Sequence, residues 1–222
     1  MSDAALTVAR FTRAERWVHR SIALLMGACL VTAFVLYYGP MSLAIGHRHV
    51  VELVHVVAGY ALPVPMLLGL VSAAYRADLG VLNRFSRDDW RWLRSRNRRD
   101  GSFAVGKFNA GQKLNASLVA GSVVVMVGTG TLMFFTGLVR LSWRTGATFV
   151  HDWFALGLGL LVLGHLWFAI ADPQAREGMR TGRVDRRWAE REHPAWLAGL
   201  SSAEEDGRAV ASGTGRGRAR RR

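Results

Sequence analysis

The sequence predicts an all-α fold: a four-transmembrane-helix bundle with both termini cytoplasmic, an interfacial C-terminal segment and a disordered basic tail. Three observations predict it. Residues 21–46, 53–75, 114–139 and 153–171 contain no Asp, Glu, Lys or Arg. Each stretch supplies the roughly 20 apolar residues that cross a ~30 Å hydrocarbon core, and none keeps the charged face of a soluble core helix. The 29 basic residues are also unevenly spread: four lie in residues 1–20, ten in residues 76–113 and twelve after Asp172, leaving only Arg48, Arg140 and Arg144 for the other two connections. That alternation follows the positive-inside rule for four spans with both ends inside. It also accounts for the net charge of +13 by lipid and interface contacts, so no nucleic acid partner is expected.

The first helix is expected at about 15–38, stopped by Gly39-Pro40. Arg16 and Arg20 precede an apolar run as in a signal peptide, but the run is long and lacks a small-x-small cleavage site, so it reads as a retained helix. An outer loop with His47 and His49 leads to a second helix at about 50–75. Pro63 and Pro65 remove backbone donors in its middle and should kink it. In the following loop, Trp90-Arg91-Trp92-Leu93 forms an amphipathic patch expected in the membrane interface, tryptophans toward lipid and arginines toward phosphate. The third helix is expected at about 112–138 and the fourth at about 149–171, closed by Asp172-Pro173. Residues 1–200 form one membrane domain, with a short interfacial helix expected around Trp188 and Trp196. Residues 201–222 are rich in Gly, Ser, Arg and acid and are expected to lack structure; their final basic run is expected to face lipid.

The chain has seven histidines and one cysteine. Intramembrane ionisable residues are costly and default to functional hypotheses. His19 lies near the inner end of the first helix and His55 near the outer end of the second. His151 and His165 lie near the outer and inner ends of the fourth. The helix directions put His19 level with His165, and His55 level with His151. His151 and His165 are 14 positions apart, which returns to within about 40° of the same face and displaces them by about 21 Å. Low-spin b-type haem takes two axial imidazoles on opposite sides of its plane, delivered from different helices. A haem at each level is therefore expected, with His19, His55, His151 and His165 as iron ligands. Cys29 alone offers no Cys-x-x-Cys-His attachment, zinc site or iron–sulfur cluster, so any haem is non-covalent. His47 and His49 read as solvated loop residues, either of which would replace His55 if the register differs. His193, before Pro194, reads as structural. Gly27, Gly59, Gly157, Gly159 and Gly164 lie near the histidines, where small residues serve helix packing or make room for a porphyrin; packing is the favoured reading.

These residues resemble the cytochrome b (gamma) subunit of respiratory formate dehydrogenase, within the di-haem b-type cytochromes that include hydrogenase b-type subunits. The likeness runs over residues 10–200. Arg-Phe-Thr-Arg-Ala-Glu-Arg-Trp-Val-His19, Glu-Leu-Val-His55-Val-Val-Ala-Gly59 and the His151/His165 pair are its general parts. Gly106-Lys-Phe-Asn-Ala-Gly-Gln-Lys113 and Gly182-Arg-Val-Asp-Arg-Arg-Trp188 with His193-Pro194 favour the formate dehydrogenase branch. The resemblance implies an outer haem on His55 and His151 and an inner haem on His19 and His165. It implies a quinone head group beside the inner haem, contacted by Asn109, Gly111 and Gln112. Phe108 stands where the family usually has Tyr, so a hydroxyl role there is absent. Lys107 and Lys113 are candidates to stabilise charge on quinol oxygen or relay protons; plain anchoring at the interface explains them equally well.

The function expected is a membrane anchor of a respiratory formate dehydrogenase in the bacterial cytoplasmic (inner) membrane. It carries electrons from an iron–sulfur (beta) subunit across the membrane to menaquinone or ubiquinone. A molybdopterin catalytic (alpha) subunit handles formate, which this chain alone does not oxidise. The alternatives are a b-type subunit of hydrogenase or another oxidoreductase, and a haem-free anchor or transporter whose histidines are structural or bind a metal.

Overall fold

The computed structural model describes residues 6–96, 98 and 103–211; the basic run expected to face lipid lies outside them. Helix α1 (Arg13–Tyr37) starts in a capping box, in which the Thr12 hydroxyl accepts from the Glu15 amide while the Glu15 carboxylate accepts from the Thr12 amide, satisfying two orphan donors of the first turn. A short helix α2 (Gly39–Ile45) follows, begun by Pro40 and ended by Gly46 at φ +69°, a left-handed conformation that glycine adopts without steric cost.

The second span is built from α3 (Arg48–Ala61) and α4 (Pro63–Gly69). The interruption falls at Leu62, just before Pro63, where proline removes a backbone donor; Leu62 keeps helical dihedrals. This span ends at Gly69 rather than near residue 75. Ser72 caps a separate helix, α5 (Ala73–Leu82), by accepting from the Tyr75 amide. The amphipathic patch forms α6 (Arg87–Arg94), opened by a Ser86/Asp89 capping box. Trp90 is exposed, but Trp92 packs against Gly111, so only one of the two tryptophans faces outward as expected.

Helix α7 (Ala110–Phe134) and helix α8 (Leu141–Ala171) complete the four spans; α8 begins a full two turns before the expected residue 149. All four spans are long and apolar enough to cross a membrane. Helix α9 (Pro173–Thr181), capped by Asp172, leads to strand β2 (Arg183–Asp185), then α10 (Arg186–Glu192) and α11 (Pro194–Ala211). Residues 201–211, expected to lack structure, continue α11.

The all-α reading gains one small addition. Strand β1 (Thr7–Ala9) pairs antiparallel with β2, placing Val8 opposite Val184. The turn into β2 uses Gly182 at φ +89°, whose carbonyl accepts from the Arg10 and Phe11 amides at 2.8 and 3.1 Å. The N-terminus is thus tied to the segment after α8, over a small core of Val184, Trp188 and Ala189.

Within the spans, α1 packs on α3 and α4, and α7 packs on α8, making two helical hairpins that touch each other sparingly through α3–α7 and α1–α8. The membrane-level core is one cluster of Met26, Leu62, Val123 and Leu158.

Candidate cofactor site

Both histidine pairs bridge the two hairpins. At the end of the bundle where α1 begins and α8 ends, the terminal end, His19 of α1 faces His165 of α8 with 6.1 Å between ring centres and 51° between ring planes. At the far end, His55 of α3 faces His151 of α8 at 6.3 Å and 66°. A metal–imidazole bond of about 2 Å, plus roughly 1 Å from ring nitrogen to ring centre, puts two imidazoles sharing one metal ion at about 6 Å. The two separations therefore match ligands on opposite sides of one iron. His47 is exposed, with its Nδ1 3.0 Å from the Ile45 carbonyl oxygen, and His49 is exposed as well. Neither replaces His55.

Two imidazoles per pair are too few donors for a bare ion and would suit the two open positions of a flat macrocycle. Among the described residues no three His, Cys, Asp or Glu side chains converge on one point. A Cβ added at Gly27, Gly59, Gly157 or Gly164 would meet nothing within 4 Å, and one at Gly159 would only brush Leu30 at 3.9 Å. Apart from Leu30 at Gly159, no described side chain packs against these glycines within that distance, so the structure shows no close helix contact at them, the reading favoured from sequence. Gly130 of α7 is different, since a Cβ there would lie 3.4 Å from Cε1 of His151, so its small size lets α7 close on that ring.

The far-end rings are also held from behind. Thr32 Oγ1 lies 2.9 Å from His55 Nδ1 and Thr129 Oγ1 lies 2.8 Å from His151 Nδ1. Sequence reasoning missed both threonines. Each sits on a different helix from its histidine, so only the three-dimensional register reveals the pairing. Ligating histidines characteristically engage their second ring nitrogen in this way, which fixes ring orientation.

The segment 106–113 docks on the terminal end. Lys107 Nζ reaches Glu15 at 2.8 Å and both oxygens of Asp78 at 2.7 Å, and Glu15 is one turn from His19 on α1. Burial, reinforced by the neighbouring Glu15 carboxylate, pushes Asp78 up to about 7, so this cluster of two carboxylates and one ammonium takes up a proton near neutral pH. Lys113 reaches Asp89 at 2.8 Å and the Arg84 carbonyl at 3.0 Å. Both lysines are spent in shielded ion pairs, so neither is an interface anchor. Asn109 and Gln112 form the capping box of α7: Asn109 Oδ1 accepts from the Gln112 amide at 2.9 Å and Gln112 Oε1 from the Asn109 amide at 3.0 Å. A Cβ at Gly111 would press on Trp92 at 3.4 Å.

His193 is structural, as expected. It is 2 % exposed, with Nδ1 2.7 Å from the Gly106 carbonyl oxygen and Nε2 2.9 Å from Arg10. Arg10 also donates to the Lys107 carbonyl at 2.8 Å and lies over the Trp188 and Trp196 rings at 4.8 and 5.7 Å. This knot binds the N-terminus, the 106–113 segment and the C-terminal segment together.

The chain is 30% identical over 105 residues to the cytochrome b556(Fdn) subunit of nitrate-inducible formate dehydrogenase from Escherichia coli K12, and equally to its counterpart from Shigella flexneri. That match covers 45% of this chain and 48% of the relative, so the chain spans about half the length of the curated relatives it matches. The profile of prokaryotic cytochrome b561 matches residues 10–179, which include all four paired histidines. This multi-pass membrane protein belongs to the prokaryotic cytochrome b561 family, whose cofactor is haem b.

Proposed function

We propose that the chain is the membrane-anchoring di-haem cytochrome b subunit of a respiratory formate dehydrogenase in the bacterial cytoplasmic membrane, with both termini cytoplasmic. The observation that carries this reading is α8, which presents His151 and His165 at two depths, each facing a ring from the other hairpin. His55 and His151 would hold one haem b at the far, outer end, and His19 and His165 the other at the terminal, inner end. Bound there, the two groups supply one-electron carriers on either side of the membrane. Arg144 is a candidate cation for an outer haem carboxylate. It stands seven positions, or two turns, before His151 on the same face of α8, and its Nε is buried without a hydrogen-bond partner.

Electrons would enter at the outer end from an iron–sulfur subunit, itself fed by a molybdopterin catalytic subunit, and leave at the inner end to menaquinone or ubiquinone. Asn109, Gly111 and Gln112 are proposed for the quinone head group. The capping box occupies the side-chain oxygens of Asn109 and Gln112 but leaves their NH2 groups as donors. The Gly111 N–H, in the first turn of α7, has no intrahelical acceptor. Three donors thus remain for a quinone oxygen. The Glu15–Lys107–Asp78 cluster, two residues away at Lys107, is suited to deliver a proton from the cytoplasmic side.

Membranes carrying the full complex test the reading by substrate. Reduction of the b-type band by formate and not by hydrogen, with reoxidation on adding a quinone, is the expected result. Reduction by hydrogen alone would move the chain to the hydrogenase reading, and reduction by neither would remove the partner assignment.

A further inference from the structure

The two histidine pairs differ in what stands behind them. At the far end both Nδ1 atoms are engaged by threonine hydroxyls, Thr32 for His55 and Thr129 for His151. Each hydroxyl spends its own proton inside its helix: Thr32 donates to the Ala28 carbonyl at 2.6 Å and Thr129 to the Val125 carbonyl at 2.8 Å. What each Oγ1 offers its histidine is a lone pair, so Nδ1 must be the donor. The Cys29 carbonyl oxygen, 3.2 Å from the His55 Nδ1, can only accept and requires the same tautomer. Both far-end imidazoles are therefore protonated on Nδ1 and bare on Nε2. At the terminal end, among the described residues, neither His19 nor His165 makes a hydrogen bond through its ring, and both are exposed.

We propose that Thr32 and Thr129 are positioning residues that lock the far-end imidazoles as iron ligands and hold the far-end haem at a lower potential than the terminal-end haem. The inference rests on the haem assignment above. An imidazole that donates through Nδ1 becomes a more basic ligand at Nε2, and a more basic axial ligand favours ferric over ferrous iron. The terminal-end pair has no such protein acceptor among the described residues. An electron arriving at the far end then runs downhill toward the terminal end, one carrier being oxidised as the other is reduced. The direction of transfer is set by two hydroxyls on α1 and α7.

The test is a potentiometric titration of the b-type band in membranes containing the full chain, with the haem-to-chain ratio measured alongside. Thr129→Val keeps the shape and removes the acceptor. It should move the lower-potential component upward, changing the ratio of oxidised to reduced far-end haem at a fixed ambient potential roughly fivefold for one lost hydrogen bond, while the other component stays put. Thr32→Val should act in the same direction but less, because the Cys29 carbonyl still accepts. Thr129→Ser should restore the wild-type titration. If Thr129→Val loses the far-end haem, recovery of both haem and potential in Thr129→Ser supports the positioning role; failure to recover overturns it. Unchanged components in Thr129→Val with both haems retained, or a shift in the higher-potential component instead, also overturn it. A wild-type chain without two b-type components defeats the haem assignment itself, a separate result.

Discussion

Leu158 stands seven positions after His151 on α8, two turns along nearly the same face, and His165 stands seven positions after Leu158. Met26 follows His19 by the same interval, and Leu62 follows His55 by it. These three apolar residues, with Val123, are the buried cluster of the spans. Seven residues advance a helix by about 10 Å and turn it to within about 20° of the starting face. The bundle is therefore layered: histidines, an apolar plug halfway, histidines again.

The plug is expected to separate the two sites and hold the hairpins together. Leu158→Ala leaves a cavity in the middle layer and should cost about 2–5 kcal/mol. Thermal unfolding in detergent measures it, and a stability within experimental error of wild type would show that the layer does not carry the bundle.

Lys107 neutralises two shielded carboxylates. Lys107→Met leaves Glu15 and Asp78 facing each other unpaired and should destabilise by about 3–5 kcal/mol, whereas Asp78→Asn should be milder. The pH dependence has a definite sign. Asp78 is raised in the fold from 3.8 to about 7, so the folded state binds more protons across that window. Its contribution is full below about 4 and is lost as pH rises through 7. Asp78→Asn should flatten the decline in stability over that range, and an unchanged pH profile would refute the assignment.

His193 titrates the other way. Burial, with the charge of Arg10 beside it, lowers it from 6.5 to about 4, so it is neutral in the fold. Its contribution is full above about 6.5 and drains as pH falls toward 4, because the unfolded chain binds the proton first. Limited proteolysis of the C-terminal segment should quicken between pH 7 and pH 5. His193→Ala should remove most of that pH dependence while costing about 1–3 kcal/mol by stripping Arg10 of an acceptor.

Arg144 has a buried Nε without a partner, and pairing with a haem carboxylate would use the charge. Arg144→Gln should weaken retention of the outer haem roughly tenfold, the scale of one charge-assisted hydrogen bond. Haem transfer to an acceptor apoprotein measures it. Arg144→Lys should recover part of the loss, and equal retention in wild type and Arg144→Gln would exclude the contact.

The spans and the histidine levels were legible because both follow from local rules, hydropathy over about 20 residues and a rise of 1.5 Å per residue. The Pro63 interruption was legible for the same reason. The roles of Lys107 and Lys113 were not, because their carboxylate partners lie 92, 29 and 24 residues away in sequence. Thr32 and Thr129 were not legible either: each donates to a carbonyl of its own helix, and its contact with histidine depends on how the helices meet. The β1–β2 ribbon was missed because three-residue strands carry no periodicity. Asn109-x-x-Gln112 does carry a capping signature, which adds a structural role to the one implied by resemblance.

The most direct measurement is the haem-to-chain ratio and reduced-minus-oxidised spectrum of the wild type beside His151→Ala and His165→Ala. Two b-type haems per chain are expected in the wild type. Each variant should keep about one, and the two should lose different spectral components, since each ring faces a different partner. A wild type with no b-type band, or a band that neither substitution changes, would contradict the paired-histidine account.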